Sequence, residues 1–431
     1  MPKKKQKIFQ APKGTRDILP EEQPYWDRFI KVAEDLARDY GFQKIETPIF
    51  EDTELFTRGT GATTDIVTKQ MYMLRTPGGT QLALRPEGTP GVVRAYMENG
   101  MASQPQPIKL YYFGPMFRYE QPQAGRYRQL YQFCLENIGE PEAVLDAQII
   151  QFCFSLFKDL GLKKVNIQIN SLGCPQCRSA YRRALMDYYR YRKNRICPDC
   201  RRRMKENPLR LLDCKEEKCQ PIKSQAPATV DYLCDDCNKH FKEVLEFLDE
   251  LEIPYFLNNN LVRGLDYYTK TVFEIFWEEN GEENSSKIAL GGGGRYDGLV
   301  KDLGGKPTPA VGVGLGIDRI VALMKKEQVR LGAGHNPKIF LVQLGIMGKK
   351  KSLKLFEALR EAGIATAESL SRDSIKAQLK IADRLRVKFA LILGQQEALD
   401  GTVIIRDMET GVQEIVPQEK VIDEVKKRFR K

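Results

Sequence analysis

With 431 residues the chain is too long for a single compact core and predicts two or three domains. Hydrophobic residues make up 42% of it, enough for packed cores, yet no apolar run approaches the roughly 18 residues that cross a bilayer, so no membrane-spanning helix is expected. A formal charge of +11 points toward polyanionic partners, because phosphates release counterions when Lys and Arg neutralise them.

Residues 1–7 are basic but run into Phe9, Gln10, Ala11 and Pro12 rather than an apolar signal core, so secretion is not expected and a cytoplasmic location is. Trp26, Phe29, Ile30, Ala33, Leu36, Ala37 and Tyr40 recur at steps of three and four, behind Glu21 and Glu22 and ahead of Gly41, which predicts an amphipathic helix. Residues 42–50 read as a strand closing near Pro48, and 109–117 and 129–135 as two strands joined by a polar loop. A helix over 142–160 and a strand over 164–170 follow. From about 172 to 254 the texture becomes rich in Cys, Arg and Tyr, with helices over 176–193 and 238–251, and reads as an insertion. Strand character returns at 271–277 and 288–290, before a glycine cluster and a helix over 316–326. Strands at 339–344, 389–393 and 403–406 then alternate with helices, which argues a separate α/β domain. The division is therefore one interrupted body (1–171 and 255–330), the insertion 172–254, a linker at 331–336 and a terminal domain at 337–431.

Five motifs carry chemistry. In Leu84-Arg85-Pro86-Glu87-Gly88-Thr89 a carboxylate and a hydroxyl can hold an ammonium group, but the motif by itself favours Thr89 as a cap of the following helix with Glu87 complementing its dipole. Around the second strand stand Arg118, Tyr119, Glu120, Arg126, Arg128, Gln132 and Glu136. Alternation puts Leu130, Gln132, Cys134 and Glu136 on one face, too polar for ordinary packing, so either a binding site or a surface ion network is implied. Arg118 suits a phosphate, whose oxygens gain charge in phosphoryl transfer. Leu261-Val262-Arg263-Gly264-Leu265-Asp266-Tyr267-Tyr268 joins a cation suited to a carboxylate with phenols suited to an imidazole nitrogen. The glycines of residues 289–298 permit close backbone approach or a flexible turn. Residues 309–319 run from a glycine-interrupted strand into a helix whose first turn carries Arg319, a group that can stack on a nucleobase or meet a terminal phosphate.

In this order the motifs resemble the class II aminoacyl-tRNA synthetases, and specifically the histidyl-tRNA synthetase family, over nearly the whole chain outside the insertion. Residues 13–17 and 374–386 add to the match, and the Arg263-to-Tyr268 stretch looks like the peptide that marks the histidine enzymes. The resemblance implies an α+β fold: a mixed, mainly antiparallel sheet flanked by helices, interrupted by the insertion and followed by an α/β anticodon-binding domain. It implies ATP-dependent activation of L-histidine and its transfer to the 3′ end of tRNA(His), with Mg2+ accompanying ATP, in a homodimer with the 26–40 helix near its interface. Glu87, Thr89 and Gln132 would hold the α-ammonium; Glu136 and Tyr268 would contact the imidazole with Tyr267 nearby; Arg263 would face the reacting carboxylate and α-phosphate. Arg118 would grip the α-phosphate with Glu120 beside ATP, and Arg319 would sandwich adenine and reach toward the γ-phosphate. Gln123, Arg126 and Arg128 would meet the tRNA. Leu130 departs from the family's aromatic adenine platform, Cys134 from a small residue, Tyr131 from a histidine and Gln121 from an arginine.

The insertion differs from the family's usual one. Cys174/Cys177, Cys197/Cys200 and Cys234/Cys237 have the spacing of zinc knuckles, and Cys214 with Cys219 makes a looser fourth pair. Eight thiols serve two structural Zn2+ sites; free thiols or redox pairs are the alternative, and spacing leaves open which pairs share an ion. Arg201, Arg202 and Arg203 beside a knuckle suggest a surface that leans on the tRNA acceptor arm. From 337 onward, 19 Lys and Arg face 13 Asp and Glu, a net +6 able to meet RNA. There, Lys376, Lys380 and Arg384 share one helical face and Ile375, Leu379 and Ala382 the other. Two rivals remain: a histidine-sensing regulatory subunit, against which stand the terminal domain and the full arginine set, and a class II enzyme for proline or threonine, against which stand Glu136, Tyr267 and Tyr268.

Overall fold

The computed structural model describes residues 9–123, 125–278, 287–331, 337–371 and 373–430, and the chain forms two compact units, Met1–Arg330 and Leu331–Lys431. The first is built on an eight-stranded sheet: β1 (Gln43–Lys44), β2 (Ile108–Phe117), β3 (Gln129–Ile138), β4 (Val165–Ser171), β5 (Tyr255–Leu257), β6 (Thr269–Glu278), β7 (Lys287–Arg295) and β8 (Ala310–Gly316). Their order is β1-β2-β3-β8-β7-β6-β4-β5. The inner pairings are antiparallel, while the edge pairs β1–β2 and β4–β5 run parallel. This is the mixed, mainly antiparallel sheet expected from the sequence.

The helices that matter for the site are α1 (Gln23–Asp39), α2 (Thr89–Glu98), α3 (Ala143–Asp159), α4 (Pro175–Arg190), α5 (Asp235–Glu250) and α6 (Ile317–Lys326). One core joins Phe29 and Ala33 of α1, Phe152 and Leu156 of α3 and Val321 of α6 to Phe133 and Leu135 of β3. Each buried Phe or Leu there contributes roughly 1.5–3 kcal/mol. The period of two sends the neighbours of Phe133 to the opposite face, where a second cluster mixes Val92, Val272 and Leu299 with the phenols of Tyr112, Tyr267, Tyr268 and Tyr296. One face of the sheet is thus oily and covered, and the other is half polar.

Two expectations are corrected. Residues 42–50 do not form one strand: β1 stops at Lys44 and pairing resumes at Phe50–Asp52 in a separate three-stranded sheet. Pro48, with no N–H to donate, lies in the gap. The glycine cluster, read as a flexible turn or a cradle, is strand: Gly291, Gly292, Gly293 and Gly294 pair with β6 on one side and β8 on the other. A Cβ on Gly291 would stand 2.5 Å from the Gly314 carbonyl oxygen, so only hydrogen fits. Strand propensity hid this, because glycine is depleted in strands except where backbones approach closely.

The insertion has its own small core, in which Tyr181, Leu185, Ile196 and Leu211 surround four of the cysteines. Its helix α5 packs Phe241, Val244 and Leu248 into the main core. Arg202 is exposed but pairs with Asp199 and Glu206, and Arg203 donates to the Arg210 carbonyl at 3.2 Å, so Arg201 is the freest of that basic triplet.

In the second unit five strands stand in the order Thr366–Glu368, Ile339–Gln343, Phe389–Leu393, Thr402–Asp407, Gln413–Pro417. The first two pairings are parallel and the last two antiparallel. On the helix Ile375–Arg384 the basic residues Lys376, Lys380 and Arg384 are exposed as expected, but Ile375 is exposed too and Gln378 is buried. Gln378 exchanges two hydrogen bonds with the backbone of Gln343, at 3.1 and 2.8 Å. A polar side chain that replaces a ladder bond in this way is invisible to hydrophobic periodicity.

Candidate active site

A cavity of about 280 Å³ lies over β3, β8 and β7. Its lining brings together the expected Glu87, Thr89, Gln132 and Glu136, the loop residues Arg263, Tyr267 and Tyr268, and Arg118, Glu120, Arg126 and Arg319. Leu130 and Cys134 line it as well, as β3 alternation requires.

Glu136 is 1% exposed, and three hydroxyls point at it. Thr89 Oγ1 donates to Oε1 at 2.7 Å, Tyr112 donates to the same oxygen at 3.0 Å, and Tyr296 donates to Oε2. Gly312 on β8 makes room, since a Cβ there would collide with the carboxylate. Burial, opposed by the bonds from Tyr296, Thr89 and Tyr112, pushes the carboxyl up to about 7. Glu87 is also buried and takes hydrogen bonds from Thr60 and, at 2.7 Å, from Tyr267. Desolvation raises it too, against those bonds and the nearby charge of Arg118.

Helix α2 starts at Thr89, but neither side chain caps it. The hydroxyl is committed to Glu136 and the Glu87 carboxylate to Tyr267, so the capping alternative fails. The arginines are held from behind. Arg118 Nε donates to the Pro86 carbonyl at 2.8 Å; Arg319 donates to the carbonyls of Gly125 and Ala289 at 2.9 and 2.8 Å; Arg263 pairs with Glu274 at 3.1 Å. Arg16 and the Tyr131 N–H bond Asp318 at 3.1 and 2.8 Å, which anchors the turn before Arg319.

Gln123 and Arg128 do not line the cavity. Gln123 is exposed, whereas Arg128 lies 3.9 Å over the Tyr119 ring and donates to the Glu120 carbonyl at 3.2 Å, bracing the loop. Sequence reasoning missed Thr60, Tyr112, Tyr296 and Glu274. Tyr296 sat inside a motif quoted for its glycines, and Tyr112 is one of two adjacent tyrosines on β2 that only the strand register tells apart. Thr60 gave no signal, because it comes from wide helical turns at Thr57–Gly61.

The eight insertion cysteines form two groups, Cys174, Cys177, Cys234 and Cys237, and Cys197, Cys200, Cys214 and Cys219, with the sulfurs of each within 4.8 Å of one another. This answers the pairing that spacing left open: the first knuckle joins the last, and the middle one takes the looser pair.

A mainly antiparallel sheet that gathers three buttressed arginines and two buried carboxylates in one cavity is the arrangement the resemblance to class II aminoacyl-tRNA synthetases implies. The histidyl-tRNA synthetase family profile matches residues 14–177 and 209–320, and the anticodon binding domain profile matches 338–428. The histidine–tRNA ligase of Dehalococcoides mccartyi is 45% identical over 422 residues, covering 98% of this chain and 100% of its own. That of Acetivibrio thermocellus is 45% identical over 419 residues, covering 97% and 100%. Among solved structures, apo S. aureus histidyl-tRNA synthetase superposes with a TM-score of 0.80 at 34% identity, over 97% of this chain and 99% of that one. The chain belongs to the histidyl-tRNA synthetase family.

Proposed function

We propose that this chain joins ATP and L-histidine into histidyl-adenylate and then transfers the histidyl group to the 3′ end of tRNA(His), releasing pyrophosphate and AMP. The observation that carries the reading is the buried Glu136, ringed by hydroxyls and facing the same cavity as Arg118, Arg263 and Arg319. Family membership over nearly the whole chain supports it.

In this reading Glu136 and Tyr268 take the imidazole, while Glu87, Thr89 and Gln132 hold the α-ammonium. The histidine carboxylate attacks the α-phosphorus in line with departing pyrophosphate, so positioning and cation clamps suffice and no protein nucleophile is needed. Arg118 and Arg263 neutralise charge on the reacting oxygens; Arg319 stacks on adenine, with Leu130 opposite and Glu120 at its edge. Mg2+ accompanies ATP and takes oxygen ligands, and Glu120 and Glu274 are carboxylates that line the cavity. Gln123 and Arg126 are the exposed tRNA contacts on the loop. The direct test is exchange of pyrophosphate into ATP: histidine stimulates it and no other standard amino acid does. A response to proline or threonine instead would overturn the assignment.

The cysteine groups are assigned to structural zinc. Four thiolates at about 2.3 Å from one ion stand about 3.8 Å apart in a tetrahedron, and the Cys174–Cys177, Cys174–Cys234 and Cys197–Cys214 sulfurs are 3.5, 4.0 and 3.8 Å apart. Metal analysis of the purified chain is expected to return two zinc per chain; less than one discards the assignment.

Cytoplasmic location and a homodimer complete the proposal. No helix among the described residues is long and apolar enough to cross a membrane. Helix α1 buries Trp26, Phe29, Ala33 and Ala37 in the core and keeps its outer face for a place near the dimer contact, with the exposed Ile49, Phe50, Met73 and Leu74 around the small sheet as further apolar surface for it.

A further inference from the structure

The peptide that carries Arg263, Tyr267 and Tyr268 has no regular structure of its own, yet three of its side chains must hold their places in the cavity. Behind it lies a second cavity of about 210 Å³, lined on one side by Arg178, Arg182 and Arg210 of the insertion and on the other by Val262, Arg263, Asp266 and Tyr268. Dense packing therefore does not fix the back of this peptide. Hydrogen bonds do, some joining Asp266 to Thr60 and Thr63 and others from the insertion.

Arg178 directly follows Cys177 in the first turn of α4. Its guanidinium donates to the carbonyls of Asp266, at 3.4 Å, and Tyr268. The same knuckle is laced to the chain just past Tyr268: the Leu172 N–H reaches the Lys270 carbonyl at 2.7 Å, and the Lys270 N–H the Gly173 carbonyl at 3.0 Å. Gly173 itself has φ +64°, and a Cβ there would sit 2.5 Å from that of Cys177, so the turn is shaped around the sulfur group. The second group makes an equivalent reach. Arg210, four residues before Cys214, donates to the Gly264 carbonyl at 3.1 Å and is steadied by Asp65 at 3.0 Å. Asn207 donates to the Asp266 carboxylate at 2.8 Å.

We infer that the two cysteine groups act through Arg178 and Arg210 as a clamp on residues 264–268, so that the metal-bound insertion sets the affinity for the amino acid. The inference rests on the reading of the histidine pocket and of zinc given above and adds a coupling between them. Both arginines are positioning residues, since neither lines the amino-acid cavity. A clamp on this peptide tunes Tyr268 and Tyr267 while leaving Arg118 and Arg319, which are held elsewhere, in place.

The test uses the full-length, zinc-loaded chain and its Arg178→Gln, Arg210→Gln and Arg178→Lys variants. Loss of a charged donor to a carbonyl is expected to raise the histidine KM in pyrophosphate exchange about tenfold or more, with the ATP KM and zinc content unchanged. Arg178→Lys, which keeps one charged donor, is expected to fall between wild type and Arg178→Gln. Histidine binding measured by calorimetry without ATP should weaken in parallel, as it should when a chelator strips zinc from the wild type. An unchanged histidine KM in both Gln variants, or equal rises for histidine and ATP, overturns the clamp. A wild-type chain that does not respond to histidine would instead refute the pocket assignment itself.

Discussion

Arg263→Ala is expected to lower kcat/KM for adenylate formation by about 10²–10³, the loss seen when one preorganised donor to a developing charge is removed. The guanidinium is well placed for that effect. Its side chain is 18% exposed and paired with Glu274 at 3.1 Å, and it lies against β7, where a Cβ on Gly292 would come within 2.7 Å of Nη1. Burial works to lower its pKa, but the charge of Glu274 and the neighbouring tyrosines outweigh it, so the net direction is upward and the group stays cationic. Arg263→Lys should recover little, because an ammonium lacks the planar fork that spans two oxygens. Pyrophosphate exchange measures the loss, and an unchanged melting temperature separates it from misfolding. Exchange within tenfold of wild type would remove Arg263 from the reaction.

The largest stability effect is expected at the end of β7. Arg295 and Asp146 are each 0% exposed, and Arg295 Nε meets Asp146 Oδ2 at 3.0 Å. Its other nitrogens donate to the carbonyls of Glu140 and Glu142, at 3.2 and 3.0 Å, just before α3. Helix α5 contributes His240, 3.4 Å from Asp146. Arg295→Ala leaves a buried carboxylate without its cation and should cost about 3–5 kcal/mol in denaturant unfolding, whereas Asp146→Leu combined with Arg295→Met should recover most of that. The pH dependence has a definite sign. Burial raises the Asp146 pKa, but the charge of Arg295 and bonds from His240 and Arg295 outweigh it and hold the group below its usual range. The pair's contribution is thus full above the unfolded value of about 3.9 and is lost as pH falls through the lower folded value. The gap between wild type and Arg295→Ala should narrow below about pH 4. A constant gap down to pH 2, or a loss under 1 kcal/mol at neutral pH, would show that the pair is not what ties α3 to β7.

The sequence revealed most of what is charged in the site and little of what holds it. Arg118, Arg263, Arg319, Glu87 and Glu136 announce themselves because nothing apolar explains them, and they do share one cavity. Their supports are ordinary residues whose role depends on register: Tyr112 faces Glu136 because of its place on β2, and Tyr296 because β7 continues through four glycines that propensity assigns to a turn. The helix α1 was legible from its apolar stripe. Gln378 was not, because its burial is explained by the Gln343 backbone in a neighbouring strand. Likewise the cysteine spacing singled out the eight thiols, while their grouping into two sets depended on the fold of the insertion.

The side-chain-free run on β7 also limits how this pocket can be re-engineered. Because main-chain atoms crowd residues 291–294 from both neighbouring strands, that part of the floor offers no substitutable surface for changing amino-acid selectivity. Libraries seeking a different substrate should hold those codons constant and diversify Ile66 and Cys134, which border the same space.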